Sequence, residues 1–238
     1  MTMPGLTIPE LESDADNLLL EACSKTLRRL GADVRIRAEG ENLIRSLLQG
    51  SAFAARATVS ACAQQGRGNL DWGWSEPTFD APIAVIEASG LPNLLHEFVH
   101  VALAGQLADD HGIDYRAIPY DLGMPGGRQV LWDELAACVV SCAYLLGGSR
   151  QTGSWMRVDG WFDEQLGIQP IFYGMDDAPE HFWSMLPGLV ELHSSECRAM
   201  SECAYERVAA LLEWGAAYDA KPARLSFAML WDRRGQVL

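Results

Sequence analysis

The 238-residue sequence predicts an α+β fold that is predominantly helical. Three observations lead there. Long stretches carry apolar residues at helical spacing and stop at glycine. Two short stretches have the alternation or β-branched content of strands. Apolar residues make up 49% of the chain, enough to fill a sizeable core. The length suits one domain, 1–238, in which 1–148 is expected to hold the strands and the most apolar helices. Residues 149–238 are expected to be mainly helical.

Residues 11–30 read as an amphipathic helix capped by Ser13 and stopped by Gly31. Residues 33–38 alternate, Val34 and Ile36 against Arg35 and Arg37, and predict a short strand. Residues 41–64 look mainly helical with a break at Gly50, and 70–77 are aromatic and turn-rich. Residues 81–88 are the strongest strand candidate. A helix follows, with Ser89 or Asn93 as its expected cap. Residues 109–128 carry turn chemistry at Gly112, Pro119, Gly123, Pro125 and Gly126 and read as a long loop. Residues 129–146 predict a buried helix, apolar almost all round, ended by Gly147-Gly148. Residues 149–177 read as irregular and aromatic-rich, with Trp155, Trp161, Phe162, Phe172 and Tyr173 as core or pocket wall. Residues 179–218 are helical in pattern and carry His181 and His193.

Charge narrows the partners. With 18 basic and 32 acidic residues the net charge is −14, and no Lys/Arg block stands out, so a nucleic-acid partner is not expected. No apolar run reads as long enough to cross a bilayer, and residues 1–16 lack the pattern of a secretory signal. A cytoplasmic location without a membrane partner is the expectation. Six cysteines follow neither zinc-ribbon nor disulfide-framework spacing, which suits reduced thiols.

The feature that carries chemistry is His96-Glu97-Phe98-Val99-His100. By chance this His-Glu-x-x-His pattern arises in about one chain in a hundred of this length. On a helix the two histidines lie four residues apart on one face and can grip one metal ion. Glu97 points about 100° round the axis, where it can reach a bound water without ligating well itself. The alternative is a pair of core histidines with Glu97 paired to a base. Burying three ionisable groups in an apolar helix is costly without a partner, which favours the metal.

These residues resemble the zincin metallopeptidases, and the resemblance covers residues 93–102. It implies a zincin-like fold, with a small mixed sheet packed on the metal-binding helices, and Zn²⁺ as cofactor. The Gly and His that metzincins place soon after the motif are replaced by Leu103 and Gln106. The gluzincin branch instead draws a third ligand, a glutamate, from a second helix, and Glu134 suits that role. Glu134 with Ala137 is similar to the Glu-x-x-Ala pattern of gluzincins. Asp133 would then orient an imidazole, and Asp121 and Asp109 are alternative ligands. Asp133 and Glu134 could instead be first-turn carboxylates that favour the helix dipole. Cys138, one turn beyond Glu134, is either a buried thiol or a soft neighbour of the ion. Tyr115, Arg116, Tyr120 and Arg128 are candidate oxyanion donors or else packing residues; His181 and His193 join them by resemblance.

The expected activity is zinc-dependent hydrolysis of a peptide or amide bond, in a peptide, a protein or a small amide. His96, His100 and Glu134 would hold the ion, and Glu97 would be the general base. Two other classes stay open: an inactive zincin-fold protein with a binding or regulatory role, and a two-histidine, one-carboxylate Fe(II) oxygenase.

Overall fold

A computed structural model describes residues 14–36, 84–88, 90–105, 107, 122–148, 154–175, 177–219 and 221–237. Among these residues the protein is predominantly helical. Helix α1 spans Asp14–Arg29, strand β1 Ala32–Ile36, strand β2 Ala84–Ala88 and helix α2 Leu91–Ala104. Helix α3 spans Pro125–Gly148, α4 Ser154–Phe172, α5 Pro179–Leu192, α6 Ser194–Ala216 and α7 Phe227–Val237.

The two strands pair in parallel, from Ala32 opposite Ala84 to Ile36 opposite Ala88. A parallel pair needs a crossover connection. The helix expected at 41–64 and the aromatic segment at 70–77 fall in that connection, outside the described residues. The described sheet is purely parallel where a mixed one was expected. It packs on α1 and α2.

Helix α1 buries Leu19, Ala22, Cys23 and Leu27 along one face. Its first turn carries Asp14 and Asp16 and its last turn Arg28 and Arg29, the order that the helix dipole favours. Helix α2 starts from Gly90 without a side-chain cap and with Pro92 in its first turn, so Asn93 lies inside the helix. Gly105, at φ 73°, stops it and donates its N–H to the Val101 carbonyl.

Helix α3 runs through the centre and packs on α2, α4 and α6. From Leu131 to Leu145 all but Asp133 are buried. It is long and apolar enough to cross a membrane, contrary to expectation, but 78% of its most apolar window is buried within the protein. That apolar surface is covered by neighbouring helices.

The segment expected to be irregular is mostly helix α4. Val158, Phe162 and Leu166 recur every four residues and are buried. Gly160, Gly167 and Pro170 interrupt the pattern in sequence without preventing the helix. The helical stretch 179–218 divides into α5 and α6 at His193. Helix α7 lies in the part of the chain expected to be mainly helical, though no separate helix was assigned there. Its Arg233 pairs with both carboxylate oxygens of Asp159 at 2.6 and 2.8 Å and stacks over Trp155. The five described cysteines are free.

Helices α1 and α6 meet where Gly215 faces Thr26. A Cβ at Gly215 would overlap the Thr26 side chain from its Cβ outward, so a terminal rotation gives no relief. Overpacking costs about 1–3 kcal/mol, against a helix-propensity gain of up to ~1 kcal/mol from replacing glycine. Gly215→Ala is therefore expected to destabilise the protein by about 1–2 kcal/mol, read as a lowered urea midpoint at unchanged slope.

Candidate metal centre

Helix α2 presents His96 and His100 one turn apart, and α3 brings Glu134 against both. His96 Nε2 lies 3.1 Å from His100 Nε2 and 3.5 Å from Glu134 Oε2. His100 Nε2 lies 3.7 Å from Glu134 Oε1. Ligand atoms about 2.05 Å from a tetrahedral ion sit roughly 3.3 Å apart. The carboxylate meets His96 through one oxygen and His100 through the other, and one ligand atom from each residue lies within 4.8 Å of the other two, a spacing at which the donor set could hold a small divalent cation. It is the one group of three or more possible metal ligands found among the described residues.

Glu134 is the tenth residue of α3, because that helix begins at Pro125, not at 129. It is therefore not a first-turn carboxylate, and the helix N-terminus does not account for it. A buried mid-helix carboxylate needs other partners. It has the two imidazoles and, from α4, the Gln169 side chain, whose Nε2 donates to Oε2 at 3.3 Å. Burial raises the Glu134 pKa, but His100, His96 and Gln169 outweigh it and lower the value to about 2.

The imidazoles differ in surroundings. His100 turns Nδ1 toward Asp133 Oδ2 at 3.8 Å. Burial pulls the His100 pKa down, yet Glu134, Asp133 and Glu97 outweigh it and hold it well above its ordinary value. His96 lies edge-on to Trp161, with ring centroids 6.0 Å apart, and its buried Nδ1 has no hydrogen-bond partner. Trp161 is fixed in turn by donating Nε1 to Ser141 Oγ at 2.9 Å, and that hydroxyl donates to the Cys138 carbonyl. Glu97 is half-buried, and its charge is felt at His100.

The structure brings His96, His100, Glu134 and Asp133 together and assigns several other candidates elsewhere. His193, between α5 and α6, faces Trp132 and places Nδ1 3.5 Å from Glu196. His181 is exposed on α5. Arg128 is spent on the Leu122 and Gly123 carbonyls and on Glu196. His193 and Arg128 are both engaged with Glu196. Cys138 is not one of the three ligands; burial first, then Cys142 and Glu134, push its thiol pKa well up. Asp109, Tyr115, Arg116, Tyr120 and Asp121 lie outside the described residues.

Sequence reasoning missed Gln169 and placed Trp161 only as core or wall. Their signal was a four-residue repeat, Trp161, Gln165, Gln169 and Tyr173, all buried in the folded chain. Tyr173 sits where the Glu134 charge reaches it; burial, and secondarily that charge, raise its phenol pKa. No protein-family model, curated protein or solved structure matches this chain.

Two expectations follow. Glu134→Ala should weaken zinc binding more than the 10–100-fold typical of partners one shell out, by isothermal calorimetry. A cation and a proton also compete for the His100 lone pair. Because the His100 pKa is raised, its proton persists above the ordinary imidazole range and must leave as the ion binds. Zinc affinity should therefore climb with pH across neutrality. Titrations in buffers of different ionisation enthalpy should show net proton release.

Proposed function

We propose that this chain is a zinc-dependent hydrolase of peptide or amide bonds, built on zincin-like lines. The observation that carries the reading is the pair of Nε2 atoms 3.1 Å apart, with Glu134 Oε2 3.5 Å from His96 and Oε1 3.7 Å from His100. Its helical His-Glu-x-x-His context adds the base that hydrolysis requires.

Bound zinc would supply a Lewis acid and bring a water within reach of deprotonation near neutral pH. The remaining work belongs to the chain. His96 and His100 offer neutral Nε2 donors. Asp133, beside His100 Nδ1, favours the tautomer that leaves Nε2 free. Glu134, held ionised, contributes one negative charge to the site. Glu97 takes the proton from the attacking water and returns it to the leaving amine. The chain's acidic balance supports an uncharged or basic substrate, such as a peptide, protein or small amide, over nucleic acid.

An Fe(II) oxygenase can use the same three ligands but has no task for a glutamate at position 97. Glu97→Gln is the direct test. Zinc should remain stoichiometric by elemental analysis, while hydrolysis of a peptide and amide panel falls by about 10²–10⁴-fold. Activity that survives the substitution, or zinc lost with it, removes Glu97 as the base. Iron in place of zinc in the purified wild type would favour oxygen chemistry.

A further inference from the structure

Gln169 is 1% exposed, and its carboxamide is only half used. Nε2 donates to Glu134 Oε2, while Oε1 is buried without a hydrogen-bond partner. Turning the amide over would set its oxygen against an ionised carboxylate, so this orientation is chemically imposed. A buried acceptor left unsatisfied is expensive, and an orphan of this kind in a folded chain calls for an explanation. The oxygen and nitrogen of one carboxamide are roughly 2.3 Å apart by bond geometry. Oε1 is thus within about 6 Å of the Glu134 oxygen that faces His96, on the α4 side of the cluster. A ligand that extends from the cluster toward α4 would have at most that distance to span to donate to Oε1.

We propose that Gln169 reads an N–H on the ligand bound at the His96, His100 and Glu134 cluster. The inference rests on the zinc-hydrolase reading and adds a substrate class to it. Nε2 fixes the ligating carboxylate, and Oε1 accepts from the N–H beside the carbonyl that zinc polarises. Substrates with an N–H amide are favoured, and tertiary amides, such as a bond to proline nitrogen, are disfavoured because no donor reaches Oε1. Discrimination by an otherwise unpaired buried acceptor is stronger than by shape alone. Trp161 beside His96, on α4, and Tyr173 in the field of Glu134, just past the end of α4, continue the same four-residue spacing as Gln169, so one stretch of chain would furnish this side of the site.

The test uses the zinc-loaded full chain and two small zinc ligands, acetohydroxamate and its N-methyl derivative, which differ by one N–H. Calorimetry on the wild type should show acetohydroxamate binding at least about tenfold more tightly, the size expected of one well-placed hydrogen bond in a dry site. In Gln169→Met, measured at saturating zinc, the ratio should fall toward one. Zinc affinity of that variant should drop about 10–100-fold as Glu134 loses its anchor. Equal binding of the two ligands by the wild type overturns the inference without any variant. So does a preference that persists unchanged in Gln169→Met, since steric exclusion of the methyl would then explain it. Failure of the wild type to bind zinc at all removes the hydrolase reading itself, a distinct result.

Discussion

A carboxylate inside an apolar helix is the constraint around which this structure is arranged. Ionised Glu134 sits among Leu131, Leu135, Ala136, Ala137 and Val139, none more than 1% exposed. Removing a carboxylate from water costs several kcal/mol even after relaxation, so its partners must be close and well aimed. They come from two directions: His96 and His100 from α2, and Gln169 from α4. The packing of α3 against both helices is therefore a condition for tolerating the charge and, equally, for forming the site.

The surrounding apolar contacts hold that geometry. Leu94, Leu95, Phe98 and Val99 flank the motif histidines on α2 and are fully buried. Helix α4 is tied to α3 by the Trp161–Ser141 hydrogen bond and to α7 by the Arg233–Asp159 pair. The start of α3 is joined to α6 by Glu196, which accepts from both Arg128 and Trp132. A site carried on packed helices holds its ligands more closely than one on loops. The residues around the cluster are also unequal. His100 has a second carboxylate behind it, and His96 has an aromatic edge.

This division of labour separates residues that looked equivalent. Asp133 and Glu134 are adjacent, but successive residues on a helix point about 100° apart. Glu134 consequently faces both Nε2 atoms, whereas Asp133 meets His100 only at Nδ1 and stays partly exposed. His193 and Arg128 carry suitable chemistry, yet both are engaged with Glu196 where α6 begins. Charged or aromatic character singled such residues out; position in the packed helices decided their work.

The sequence by itself determined what depends on local spacing and on the cost of burial. A spacing of four positions from His96 to His100 puts both rings on one helix face. An acidic residue in an apolar helix identified Glu134 as needing a partner. The end of α1 was legible because glycine at 31 leaves the right-handed region, at φ 99°. Only the tertiary structure could show that Glu134 lies mid-helix against both imidazoles, because α3 starts earlier than its turn-rich opening suggests. It alone could recruit Gln169, a contact 35 residues away along the chain, from a segment whose glycines and proline concealed a helix. Periodicity reports which face of a helix is apolar. Which other helix covers that face, and which polar atom it delivers there, is set by packing between distant segments.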